Sequence, residues 1–109
     1  MLRLNQAIEF MDLGLASSFL EAGDDVNAPD PDHGQVTPLH MAVDIECEDA
    51  CRRYDAGDQT AAPIATFTRL LLDYGANPNL PNGDGKTPLD WALARNHVEA
   101  AQLFLTHAS

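Results

Sequence analysis

Cations are what this chain of 109 residues has least of. Six Lys+Arg, with Lys86 the only lysine, stand against 17 Asp+Glu, and the formal charge is −11. A field of that sign repels phosphate backbones and anionic lipid, so neither nucleic acid nor a membrane surface is expected as a ligand. No apolar run approaches the ~20 residues that a membrane span needs. Met1-Leu2-Arg3-Leu4-Asn5-Gln6, followed by Glu9 and Asp12, lacks the layout of a signal peptide. Two cysteines, Cys47 and Cys51, are too few for a disulfide framework. A reducing, cytoplasmic setting is the expectation.

What is present is a globular composition, 45% apolar, with its acidity concentrated in one stretch. Eleven of the 17 carboxylates fall between Glu21 and Asp58, a stretch holding only Arg52 and Arg53 as cations. A partner with a basic face suits such a surface.

The chain also repeats itself. Thr37-Pro38-Leu39-His40-Met41-Ala42 returns as Thr87-Pro88-Leu89-Asp90-Trp91-Ala92. Each threonine is suited to N-cap a helix, because its hydroxyl accepts a backbone N–H, and the following proline gives up a donor that has no helical partner. Val36 is placed as a staple residue. Upstream, Leu4, Ala7, Ile8 and Met11 have helical spacing, and so do Leu13, Ala16, Phe19 and Leu20. Gly14 predicts the tight turn between those two short helices, and Gly23 a left-handed helix end.

Two prolines, a glycine and four aspartates make Asp24 to Val36 a turn-forming loop. After Ile45 the first helix of the second unit is extended. Glu48–Arg52 and Asp49–Arg53 are i,i+4 pairs in the favourable order, and Cys47, Ala50, Cys51 and Tyr54 share a face. Gly57 ends that helix, and Asp58 or Thr60 is expected to cap the next, with Pro63 in its first turn. Ile64, Phe67, Leu71 and Tyr74 then form an apolar stripe ending at Gly75. Ala76 to Lys86 is a second turn-rich tip, and Val98 to about Thr106 a closing helix.

These residues give the chain its resemblance to ankyrin-repeat proteins, whose signature Thr-Pro-Leu-His-x-Ala recurs at about 33 residues on a turn-plus-two-helix unit. Asp84 to Ala92, Asn96 to Ala101 and Leu70 to Asn79 carry the match. The resemblance implies an all-α ankyrin-repeat solenoid of helix-turn-helix units with hairpin-like loops. One domain spans 1–109, in repeats of approximately 2–34, 35–84 and 85–109, with an insertion at 46–62 enlarging the second. Three departures stand out. Thr37 and Thr87 are 50 residues apart, the loop before Thr37 is two residues longer than its counterpart, and Asp90 replaces the signature histidine.

No catalytic constellation accompanies the repeats. Gly85-Lys86-Thr87 ends like a phosphate-binding loop, but Leu80 stands where the pattern requires glycine. Cys47 and Cys51 offer two thiolates where a tetrahedral zinc site wants four ligands, with only His33, His40, His97 and His107 to add. Asp30-Pro31-Asp32-His33-Gly34 fails the calcium-loop spacing. No serine or cysteine sits beside a histidine in a recognisable nucleophile motif. No enzyme, metal or cofactor is expected.

Ankyrin-like proteins bind partners through hairpin tips and exposed positions of each first helix. Carried through the motif, the fingers are Asp30, Asp32, His33 and Gln35, then Asn82, Asp84 and Lys86. First-helix positions are Gln6, Glu9 and Phe10, then Met41, Asp44 and Ile45, then Trp91 and Arg95. Trp91 is the foremost hot-spot candidate. Glu46, Glu48, Asp49, Asp55 and Asp58 form an acidic set in the insertion. The expected function is inhibition of a partner protein with a basic face, as in toxin–immunity pairs. The alternative is an adaptor that links partners without inhibiting them.

Overall fold

Helix formation follows the capping chemistry closely. In the computed structural model, which describes residues 4–31, 34–57 and 61–107, six helices run in sequence: α1 (Leu4–Glu9), α2 (Leu13–Glu21), α3 (Pro38–Asp55), α4 (Thr66–Asp73), α5 (Pro88–Ala94) and α6 (Val98–His107). They pack as successive pairs, with α3 against α1 on one side and α5 on the other, and α4 against α6. Among the described residues there is no strand, only an isolated bridge between Asp30 and Val36 that pinches the first finger.

The first helices of the second and third pairs start alike. Thr37 caps α3 and Thr87 caps α5, each with proline at the first turn and its own N–H donating reciprocally to the N3 side chain. In α3 that side chain is His40, and in α5 it is Asp90, so the substitution keeps the capping box. Helix ends are also alike. Gly23 and Gly75 lie in the left-handed region at φ 97° and 90°, and the residue after each donates back to Phe19 and Leu71. This is the closure that glycine makes without steric cost.

Gly14 does not make the turn between α1 and α2. It lies in the first turn of α2, whose cap is Asp12, with the carboxylate accepting from Leu15 N–H at 3.0 Å. The left-handed position falls on Met11, at φ 56°. Side-chain capping thus set the helix start, and a non-glycine residue absorbed the cost of the turn.

The core is continuous from Leu4 and Ile8 through Leu39, Ala42 and Val43 to Phe67, Leu71 and Phe104. Burying each large member stabilises the fold by roughly 1.5–3 kcal/mol. α3 has 18 residues against 7 in α5, so its second half outruns the pair beside it. Cys47 and Ala50 are covered, but Cys51 and Tyr54, which share their face of the helix, are exposed. Cover stops about where the neighbouring helices stop. Ile64, expected on the buried stripe, precedes α4 and is 52% exposed.

The start of α4 differs most from expectation. Asp58 and Thr60 lie outside the described residues, and Pro63 precedes the helix rather than entering its first turn. The N-cap residue, Ala65, has no capping side chain. Glu46 supplies the cap from α3: one carboxylate oxygen accepts from Phe67 N–H at 2.9 Å and Thr68 N–H at 3.0 Å. The other accepts from the Thr68 hydroxyl at 2.7 Å and from His97 Nε2 at 2.8 Å. His97 Nδ1 in turn accepts from Ala100 N–H at 3.3 Å, at the start of α6. One buried carboxylate therefore holds the N-termini of two helices. Four acceptor contacts and the N-terminal helix field compensate its burial.

Candidate protein-binding surface

The two fingers are bound to each other. Gly83 N–H donates to the Gly34 carbonyl at 2.8 Å, and Asn77 N–H to Asn27 Oδ1 at 2.7 Å. A Cβ on Gly83 would meet that Gly34 oxygen at 3.0 Å, a tight contact that glycine avoids. Asn82, expected as a contact residue, is buried, and its Oδ1 accepts from Asp84 N–H at 2.9 Å and Lys86 N–H at 3.0 Å. It shapes the second finger from within. Asp30 is buried too, at the pinch of the first finger, while Asp32 and His33 lie outside the described residues. Gln35, Asp84 and Lys86 are exposed and remain candidates.

Behind the fingers a chain of side chains crosses from α3 to α5. His40 is fully buried, and its Nδ1 accepts from Thr37 N–H at 3.1 Å while Nε2 donates to the Lys86 carbonyl at 2.7 Å. Burial is the chief cause that pushes its pKa down, so the ring is the neutral Nε2–H tautomer. Trp91 stands edge-on to that ring, with centroids 5.0 Å apart and planes at 78°. The Arg95 guanidinium lies 5.7 Å from the indole centroid and pairs with Asp44. Trp91 is half-buried, its orientation set by two neighbours, His40 and Arg95, before any partner arrives. Asp90 beside it is exposed, and hydrogen bonds from Thr87 hold its carboxyl below the usual range.

Phe10 is 64% exposed, Met41 half-buried and Ile45 buried in the core. Ile45 therefore leaves the proposed contact set, because the α3 face it occupies packs inward. Glu48 is exposed. Asp49 is half-buried and binds Arg53 at 3.0 Å, whereas Arg52, expected to pair with Glu48, lies 4.0 Å from Asp49 and donates to Met11 Sδ at 3.4 Å. Glu46, read as part of an exposed acidic set, is buried. Its placement was signalled by helical spacing: it falls three and four residues from Val43, Ala42 and Ala50, on the apolar side.

An open groove of about 940 Å³ separates the free half of α3 from the start of α6, with Cys47, Cys51, Tyr54, Pro63 and Val98 among its walls. Burial raises the Cys47 thiol to about 11. Among the described residues no group of three or more His, Cys, Asp or Glu is gathered as for a metal ion. Among them, too, no helix is long and apolar enough to cross a membrane.

Comparison with known proteins agrees with this architecture. The family described as "Ankyrin repeats (many copies)" matches residues 60–105. The ankyrin repeat protein YahD of Escherichia coli (strain K12) is 32% identical over 102 residues, 94% of this chain and 44% of YahD. The ankyrin repeat protein FPV024 of fowlpox virus (strain NVSL) is 27% identical over 105 residues, 95% of this chain and 15% of its own. A solved structure described as the Bd0816 predatory endopeptidase from Bdellovibrio bacteriovorus in complex with immunity protein Bd3460 contains a chain of like fold. It has a TM-score of 0.67 at 24% identity, over 94% of this chain and 44% of that one. The chain spans less than half the length of these relatives.

Proposed function

The chain is an ankyrin-repeat protein, and from that premise we propose that it is a non-catalytic binding module that holds and inhibits a partner protein with a basic face. Repeats of this kind present an extended binding surface. The observation that carries the proposal is the seating of Trp91 between His40 and Arg95 beside the paired fingers. A half-exposed indole with fixed orientation is the kind of residue that dominates binding energy. Phe10, exposed, and Met41, half-buried, are further apolar candidates, and Gln35, Asp84 and Lys86 lie on the fingers.

The charge of −11 supports the choice of a basic partner, because complementary fields speed encounter and suppress wrong partners. Inhibition is the finer part of the proposal. It draws on the solved complex of like fold, which pairs an immunity protein with an endopeptidase. Here the fingers and the exposed first-helix positions would cover a basic catalytic cleft.

Affinity capture at low and at high salt, followed by assay of the captured protein, tests this reading. A basic partner released by salt, and less active when bound, supports it. A partner lacking a basic face, or retained regardless of salt, overturns the electrostatic part. A partner bound at undiminished activity overturns inhibition and leaves an adaptor.

A further inference from the structure

Trp91 and Asp44 form a seat for a guanidinium, and Arg95 of the same chain sits in it. The Arg95 guanidinium lies 5.7 Å from the Trp91 ring centroid and pairs with Asp44, which belongs to the neighbouring repeat. An aromatic face beside a carboxylate suits a planar guanidinium, which stacks on the ring while its N–H groups donate to the acid. The seat is open to solvent, since the Arg95 and Asp44 side chains are 44% and 29% exposed. Exposed ion pairs of this kind contribute little, so the occupant is weakly held.

Arg95 also has somewhere to go. Glu48 stands four residues after Asp44 on α3, one helical turn along the same side. It is exposed and, with Arg95, lines an open cavity of about 540 Å³. Arg52, the other cation on that cavity, is directed to Asp49 and to the Met11 sulfur. Rotation of the Arg95 side chain into the cavity exchanges Asp44 for Glu48 and uncovers the indole face. His40 still meets the indole edge, so the ring keeps its orientation.

We propose that Arg95 is a stand-in for an arginine of the partner, whose guanidinium takes the Trp91–Asp44 seat while Arg95 swings to Glu48. This inference rests on the binding function proposed above and names the side chain that the basic face presents there. Charge favours the exchange: in a chain of −11, Asp44 and Glu48 then hold one cation each. A partner's arginine arrives with surrounding contacts that exclude water, and its pair is stronger than the exposed one it replaces. Lysine suits the seat less, being a compact, strongly hydrated charge without the planar fork.

Trp91 is the only tryptophan, so its fluorescence reports on the seat. The probe is the blocked tripeptide acetyl-Gly-Arg-Gly-amide, titrated into wild type and Arg95→Ala, with circular dichroism to check that each is folded. Emptying the seat should let the peptide perturb the indole at concentrations at least about fivefold lower than in wild type. Adding Asp44→Asn to Arg95→Ala should remove most of that gain, and the corresponding lysine tripeptide should bind more weakly. With the captured partner, Arg95→Ala should bind at least as tightly as wild type. A silent indole in Arg95→Ala, a response no tighter than wild type, indifference to Asp44→Asn, or an equal response to lysine each overturns the seat. Weaker partner binding by Arg95→Ala overturns it too, because Arg95 would then be a contact in its own right. None of these results touches the binding function while a partner is captured through Trp91. A peptide that binds as expected, with no partner captured, counts against that function and not against the seat.

Discussion

The Glu46 carboxylate and the His97 imidazole meet at 2.8 Å, with 1% and 0% of their side chains exposed. They are 51 residues apart in sequence and join α3 to the start of α6, while the same carboxylate caps α4. Removing one partner of such a pair leaves the other's polar groups buried and unsatisfied. Glu46→Ala is expected to lower unfolding free energy by roughly 3–5 kcal/mol, read from urea titration. Glu46→Gln keeps an acceptor for the α4 amides and should lose less. A loss below about 1 kcal/mol for Glu46→Ala would place the pair among ordinary surface interactions.

His40 gives stability a dependence on pH whose sign can be worked out. Its folded pKa is lowered, first by burial, so as pH falls through about 6.5 the unfolded chain takes up the proton first. Stability is then lost below about pH 6.5 and is flat, for this group, above it. His40→Asn lacks that loss. The gap in unfolding free energy between wild type and variant should narrow from about pH 7 to about pH 5. A gap that stays constant would mean the ring titrates as it does in the unfolded chain.

The thiols should separate cleanly. Cys51 is exposed, whereas Cys47 is buried with its pKa raised to about 11. Thiolate is the reactive form, so near neutral pH a thiol reagent should modify one cysteine quickly and the second only after denaturant is added. Cys51→Ser should abolish the fast phase and Cys47→Ser leave it. Two equivalents reacting together in the folded protein would contradict the packing of α3.

Trp91 carries the binding proposal. Trp91→Ala should weaken capture of the partner by about 2 kcal/mol or more, roughly 30-fold, by calorimetry with the captured protein. Lys86→Ala, on a finger, should change affinity by far less. If Trp91→Ala leaves affinity intact while circular dichroism shows a folded chain, the indole is a packing residue on α5 and no hot spot.

How much of this could be read from sequence depended on the distance over which each interaction acts. Thr37-Pro38 and Thr87-Pro88 fix helix starts through contacts within four residues, so the repeat register was legible at once. Gly23 and Gly75 were legible for the same reason. Gly14 misled because Asp12 competed with it locally and won the helix start. The cap of α4 could not be read from its flanking residues, because it comes from Glu46, some twenty residues upstream. Exposure was also opaque at Asp30, Ile45 and Asn82. Each sits at a position that points outward in an idealised unit, yet the pinch of the first finger, the inward face of α3 and the closure of the second finger turn them in. Trp91 falls on α5 and Arg95 at its C-cap, but their partners, His40 and Asp44, belong to a different repeat.

The bonds that tie Gly34 to Gly83 and Asn27 to Asn77 bear on the kinetics of recognition. Independent loops would each have to be immobilised on contact, at an entropic cost repeated for every loop. Joined fingers move as a single blade whose shape is set during folding. Encounter then resembles the meeting of two rigid bodies, and its rate should follow long-range attraction rather than loop rearrangement.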